Sequence, residues 1–360
     1  MDKINYLNNN TGNPIAFILG SLTAFPFFYD AEPFYIVPFF VISIYFLVEG
    51  NFDTRRIAAF LMLLVFVISG NIFGSIAGFS INYQSIFYTV FTFAIFTLKP
   101  SRTFAEYFLY GFSVFMLLRA ITTIFYFFIN ADVSPFFNSN WFNYLNTSTG
   151  RMWNAEVQLG WPNVYTTFLM VALFFFFSRH RYLPASIILA AGLLTGSRLA
   201  YAAIVFMIIF NFFQNRKLIL LIILTIASIY FLGFIDFQIS ENLLYRLSKT
   251  SDRALIFGNI ISNIFLHPFG IGNTVYTEIR ISEIYESYHN SYLKIVVRYG
   301  LYALIPFLLL IFPTKLNDIN KHNILTVFFL LAMTFPQDII LHPHIALAYV
   351  MALNLKEPSA

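Results

Sequence analysis

Long apolar runs, repeated along almost the whole chain, constrain the fold of this protein more than any other feature. Runs long enough to cross a bilayer occur at residues 14–29, 33–48, 57–77, 83–98, 103–129, 162–178, 183–194, 199–213, 218–234, 291–312, 323–337 and 341–354. Only 11% of the 360 residues are charged, whereas a soluble domain carries about 25%. A soluble fold is therefore excluded, and we predict an all-α polytopic membrane protein with about 12 transmembrane helices.

The basic residues predict how these spans are oriented. If Lys3 lies in the cytoplasm, every second connection should carry Lys or Arg. The connections on that side hold Arg55, Arg56, Lys99, Arg102, Arg179, Arg181, Arg216, Lys217, Lys315, Lys321 and Lys356. We therefore expect residues 1–360 to form one multi-pass membrane domain with both termini in the cytoplasm. Loop one (130–161) and the large loop two (235–290) then lie on the outer face.

The stretch 183–213 could form a single long helix, but that would invert every later basic connection. The pattern favours two short helices that break at Thr195-Gly196-Ser197-Arg198. This break predicts that Arg198 lies at a corner on the outer face.

Two features distinguish the outer loops. Loop one contains all three tryptophans of the protein, which form either an interfacial aromatic belt or a platform on which sugar rings stack. Loop two contains the pattern of an amphipathic helix that starts at Ser251-Asp252 and stops before Pro268. The sequence Gly270-Ile271-Gly272 predicts a turn directly after that helix.

Three arginines on the outer face, Arg198, Arg253 and Arg280, are candidates to hold an anion. Guanidinium groups bind phosphate through two parallel hydrogen bonds and stay charged. The alternative is that each pairs with a loop carboxylate or a lipid headgroup. Arg119, in the middle of span five, is either functional or linked to a buried carbonyl or to Glu106.

Loop two enters an apolar helix again through residues 285–300, which read YESYHNSYLKIVVRYG. His289 lies at the junction and can act as a general acid or base near neutral pH. The alternative is an interfacial histidine with an ordinary hydrogen bond. Supporting roles fall to the polar residues that follow it, Asn290, Tyr292, Lys294 and Arg298. The last two either support a cavity or contact lipid phosphates.

We expect neither a metal ion nor a cofactor. Glu283, Glu286 and His289 fall at i, i+3 and i+6, but they lack the second histidine of helical metal motifs. His342 and His344 could complete such a site only through a tertiary coincidence. The chain has no cysteine, which excludes thiolate ligands, and it carries no nucleotide-binding motif.

Three motifs in this order resemble the bacterial O-antigen polymerase and O-antigen ligase superfamily. They are the corner at 195–198, the helix with Arg253 that ends in HPFGIG at 267–272, and HNSY at 289–292 leading to Tyr299-Gly300. The motifs cover about residues 150–312, and the topology covers the whole chain. The resemblance implies a glycosyltransferase of the bacterial inner membrane whose active site faces the periplasm.

The resemblance also implies roles for individual residues. Arg198 and Arg253 would grip the pyrophosphate of the donor, with Arg280 as a further candidate, and His289 would activate the acceptor hydroxyl. Donor and acceptor would both be undecaprenyl-pyrophosphate-linked oligosaccharides that lie among membrane lipids. A chain-length regulator and a flippase are the candidate protein partners, and we expect no nucleic acid.

Within this superfamily we favour a polymerase over a ligase. The chain is compact, its outer loops are modest, and its Phe-, Ile- and Asn-rich composition is similar to that of such polymerases. The alternatives are a ligase that transfers the glycan to lipid A–core and a transporter or flippase of lipid-linked glycans. The sequence has no repeated halves, which counts against transport.

Overall fold

The computed structural model describes residues 13–24, 31–130, 162–194, 198–214, 265–274, 290–313, 323–334 and 339–355. The α-helices in these ranges are α1 (Pro14–Ala24), α2 (Ala31–Val48), α3 (Thr54–Ile76), α4 (Tyr83–Ile95), α5 (Arg102–Asn130), α6 (Pro162–Phe177), α7 (Tyr182–Leu194), α8 (Arg198–Gln214), α9 (Ser291–Tyr299), α10 (Leu304–Ile311), α11 (Ile324–Met333) and α12 (Pro343–Leu353). Two short 3-10 helices, at Leu301–Ala303 and Ile339–Leu341, accompany them. The predicted all-α class is confirmed for these residues.

Most of the predicted spans coincide with observed helices. Each of them contains at least one helix, except 218–234, which lies outside the described residues. Nearly all of loop one, and loop two apart from 265–274 and Asn290, also lie outside them. The predicted amphipathic helix is described only at its end, where residues 265–266 are helical. The existence and length of those loops as periplasmic segments therefore stay predictions.

The surface of α3 has the character of a helix that faces lipid. Leu61, Val65 and Ile68 on its outer side are each more than half exposed, although all three are apolar. The opposite side, with Leu63 and Gly70, is buried against the rest of the protein. By length and composition, α3 and α5 could cross a bilayer, whereas the other apolar helices among the described residues are shorter. An apolar stripe of this size facing outward fits an integral membrane protein.

Small residues and one central helix hold the bundle together. Gly20 on α1 and Gly111 on α5 let the two backbones touch, since a Cβ on Gly20 would lie 1.9 Å from Phe108 O. Every residue of α12 is buried, so this short helix forms the centre of the bundle. It packs against α2, α4, α5, α6 and α11.

One end of the bundle gathers three connections that carry basic residues. The chain before α3 pairs with the chain before α5 through the bridge Phe52–Leu98. Next to them, Arg179 forms an ion pair with Glu106 at 3.2 Å. Burial lowers the pKa of Arg179 from its ordinary value, and the charge of Glu106 opposes that shift. These three connections are the ones that the basic residues assign to the cytoplasm.

At the other end of the bundle lies the connection between α3 and α4, which carries no basic residue. The chain between α3 and α4 pairs with the described part of loop two through the bridge Ile81–Thr274. Because α3 rises about 34 Å over its length, the two sets of connections lie at opposite ends of the molecule. The grouping is the one that the basic residues predict. Which end faces the cytoplasm stays a prediction.

Disulfide formation at the two isolated antiparallel bridges tests the orientation of the protein in the membrane. Residues paired in this way have Cα atoms about 4.5–5.5 Å apart, which suits a disulfide, and the chain has no native cysteine. We expect the pair Ile81→Cys/Thr274→Cys to be oxidised in cells, because the periplasm maintains disulfides. The matched pair Phe52→Cys/Leu98→Cys should stay reduced. Thiol alkylation before and after reduction measures both, and the reverse pattern would show that the orientation is inverted.

Candidate functional site

The chain directly after His289 is held firmly at the start of α9. Asn290 caps this helix, and its side-chain oxygen accepts a hydrogen bond from Leu293 N at 3.0 Å. Ser291 N donates to Thr334 O at 3.0 Å, and Thr334 Oγ1 donates to the Tyr292 hydroxyl at 2.7 Å. The end of α11 therefore fixes where loop two enters the bundle.

The predicted span at 291–312 is not one continuous helix, because the helix breaks at Gly300. In a continuous helix the carbonyls of Val297 and Arg298 would bond to N–H groups four residues later. Instead, Val297 O accepts from Ile271 N at 3.0 Å, and Arg298 O accepts from Gly272 N at 2.8 Å. A segment of loop two thus supplies the hydrogen bonds that the broken helix lacks.

This segment, residues 267–274, is called the capping segment below. Its residues 270–274 are all buried. Its turn lies at residues 267–270, where Gly270 N donates to His267 O at 2.9 Å, and not at 270–272 as predicted. Gly270 has φ +87°, and a Cβ there would lie 2.3 Å from Arg298 O. Gly272 has φ +71°, and a Cβ there would lie 2.7 Å from Asn71 Cα. Both positions therefore require glycine for conformation and for space.

The helix α3 provides the slot that receives the capping segment. A Cβ on Gly70 would lie 2.5 Å from Arg298 O, and one on Gly74 would lie 2.1 Å from Ile271 O. At the edge of the slot, the rings of Phe73 and Phe269 stack with their centroids 4.9 Å apart. The two glycines of α3 thus allow the capping segment to approach closely, and the aromatic pair limits how far it enters the slot.

A polar network that the sequence did not reveal lies at the end of the capping segment. Asn273 is fully buried and contacts Asn71 of α3, Ser85 of α4 and Tyr299 of α9. The shortest of these contacts is the hydrogen bond from the Tyr299 hydroxyl to Asn273 Oδ1 at 2.6 Å. Isolated Asn residues in or beside an apolar run were the available signal, since polar groups are expensive in lipid.

Arg298 and Lys294 differ in their surroundings. Arg298 is 6% exposed, and its Nη1 donates to Ser85 Oγ at 3.4 Å, next to the network of Asn273. Lys294, one turn earlier, is half-buried. Arg298 therefore lies within the protein and bonds to the same serine as the capping segment. A contact of either residue with lipid phosphate stays a prediction.

The predicted corner before Arg198 is present as two separate helices. A Cβ on Gly192 of α7 would lie 3.6 Å from Ala200 Cβ of α8. In one continuous helix those residues would be about 12 Å apart, so the chain reverses between them. Arg198 is the first residue of α8, but its side chain lies outside the described part. Arg253, Arg280 and His289 lie outside it as well.

The alternative that joined Arg119 to Glu106 is wrong. Glu106 pairs with Arg179 instead, and about 20 Å of helix separates it from Arg119. Arg119 is half-buried, and its Nε has no hydrogen-bond partner among the described residues. In the same ranges no group of three or more His, Asp or Glu side chains could hold a metal ion.

Gly78 and Gly270 have nearly the same φ angle, so alanine substitutions at them measure conformational strain without and with a steric clash. Gly78 has φ +88° like Gly270, but a Cβ on it meets no described atom within 4 Å. We expect Gly78→Ala to lower the free energy of unfolding by about 1 kcal/mol through strain alone. Gly270→Ala should lower it by clearly more, because the new methyl group collides with Arg298 O. Thermal unfolding in detergent measures both, and equal shifts would contradict the close contact.

Comparison with known proteins identifies part of this region. Residues 183–308 match the family model described as O-Antigen ligase. No curated protein and no solved structure matches the chain. Members of this family are glycosyltransferase-like membrane enzymes that act on lipid-linked oligosaccharides. The matched range contains α7, α8, the capping segment and α9, and its similarity to this family supports a relation to the O-antigen polymerase and ligase superfamily.

Proposed function

We propose that the protein is an O-antigen polymerase, which joins undecaprenyl-pyrophosphate-linked repeat units on the periplasmic side of the inner membrane. One observation supports this most directly. The motifs at 267–272 and 290–300, which carry the resemblance, are in backbone contact within the range that matches the family. Asn290, the N-cap of α9, directly follows His289 in the sequence. The backbone contact between the two motifs therefore holds the residue next to the proposed catalytic histidine.

The proposed chemistry needs a base and a grip on the leaving group. His289 takes the proton from the acceptor hydroxyl, whose oxygen attacks the anomeric carbon of the donor sugar. The bond from that carbon to the pyrophosphate oxygen breaks, and undecaprenyl pyrophosphate leaves. Arg198, Arg253 and Arg280 would bind the pyrophosphate and offset the charge that develops on it. No nucleotide is needed, because the sugar arrives already activated on the lipid.

Two features favour a polymerase over the other functions. A ligase must accommodate lipid A–core as its acceptor, whereas the outer loops of this chain are modest. A flippase would need polar residues along a path between both faces. The polar network among the described residues is instead concentrated where the capping segment meets α3, α4 and α9.

Replacement of the proposed base separates these functions. We expect His289→Ala to abolish long O-antigen chains while single repeat units still reach lipid A–core, because export and ligation remain intact. The matched change His180→Asn, at an exposed histidine on the opposite end, should leave chain length unchanged. Gel electrophoresis of lipopolysaccharide reports the chain lengths.

The other outcomes of that experiment identify the alternatives. Accumulation of long chains on undecaprenyl pyrophosphate would indicate a ligase. Repeat units retained on the cytoplasmic leaflet would indicate a flippase. Normal chain length in His289→Ala would exclude His289 as the catalytic base.

The role of Arg198 is tested by a change that keeps its charge. Lysine cannot form the two parallel hydrogen bonds of a guanidinium, so Arg198→Lys should lower the yield of long chains by about tenfold or more. The matched change Arg55→Lys, at an exposed arginine on the opposite end, should leave the yield unchanged. Full activity of Arg198→Lys would argue against phosphate binding by this residue.

A further inference from the structure

Asn273 uses all of its hydrogen-bonding groups at once. Its Oδ1 accepts from Tyr299 and Asn71, its Nδ2 donates to Ser85 and Thr89, its N–H donates to Asn71 Oδ1, and its carbonyl accepts from Asn82 N. The distances for the two backbone groups are 2.8 Å and 2.7 Å. An Asn side chain has no further donor or acceptor to offer.

The network allows the capping segment one position. Asn273 is fully buried, and its partners belong to three different helices or their caps. A shift of the segment would leave several polar groups unpaired inside an apolar bundle, which is costly. A fully satisfied buried network of this kind selects a single arrangement.

The position of Asn273 along the chain gives this arrangement a functional meaning. The capping segment divides loop two into a part with Arg253 and a part with Arg280 and His289. The second part begins after Thr274, which is paired with Ile81, and ends at Asn290, which caps α9. The two described residues that flank this part, Thr274 and Asn290, are therefore both bound to the bundle.

We infer that Asn273 is a positioning residue for the transfer reaction. It holds the capping segment against the last turn of α9, and this rigid helix begins at Asn290, the residue next to the proposed base. This inference rests on the proposed function and deepens it. It excludes a capping segment that must leave α3 during each reaction cycle.

Three single variants test the network. Asn273→Ala should lower polymerisation per folded protein by roughly 10–100-fold, because a displacement of about 1 Å suffices for such a loss. Tyr299→Phe, which removes only the bond to Asn273 Oδ1, should give a smaller loss in the same direction. Asn354→Ala removes an amide that donates to Val350 O at 2.8 Å on the opposite end and should have no effect. Activity is measured in membrane vesicles that contain the variant protein. The lipid-linked repeat units supplied to them are isolated from cells that lack the polymerase.

A reversible cross-link separates positioning from mere stability. The pair Ile81→Cys/Thr274→Cys ties the capping segment to α4 beside Asn273. In the Asn273→Ala background, the oxidised pair should restore most of the activity, and reduction of the same folded sample should remove it again. In the otherwise unchanged protein, the oxidised pair should leave activity intact.

Three results would overturn the inference. They are full activity of Asn273→Ala, no recovery on oxidation, and loss of activity when the otherwise unchanged protein is cross-linked. His289→Ala distinguishes these from a failure of the proposed function. If His289→Ala is inactive while Asn273→Ala is fully active, only the role of Asn273 is wrong, whereas an active His289→Ala would remove the reaction on which that role rests.

Discussion

The two hydrogen bonds from Ile271 and Gly272 to the last carbonyls of α9 are the interaction on which the rest of the site depends. A helix that stops inside an apolar bundle leaves its last carbonyl groups without helical partners, and burying them unpaired is costly. The capping segment resolves this by entering the bundle with its own N–H groups aligned. Glycines on both sides, in the segment and on α3, make room for the close approach. The site thus forms around a break in a helix, and another part of the chain supplies the hydrogen bonds that the break removes.

Much of the fold follows from the sequence because two strong physical signals act along it. Apolar content predicted the helices, and the alternation of basic connections predicted that 183–213 is divided, which the proximity of Gly192 and Ala200 confirms. The break inside the predicted span 291–312 was not predicted. Its apolar residues form one continuous run in the sequence. The break at Gly300 depends on residues that lie almost thirty positions earlier in the chain. Local patterns do not report such a partner.

The candidate site shows the same division between local and distant information. The motifs that carry the resemblance were visible as sequences, and two of them do meet in the structure. The network of Asn273 was not predicted, because Asn71 and Ser85 lie about 190–200 residues away and look like isolated polar residues in apolar helices. The link from Arg119 to Glu106 was considered on charge alone, and the rise of an α-helix rules it out.

The order in which these contacts become available has a consequence for how the protein is made. The partners of Asn273 on α3 and α4 are synthesised long before it, so the capping segment can dock on them before α9 has been synthesised. Tyr299 and the carbonyls of α9 arrive only afterwards. The capping segment can therefore already be bound to α3 and α4 when α9 is inserted. This order of synthesis allows the last carbonyls of α9 to be bonded as soon as the helix has formed.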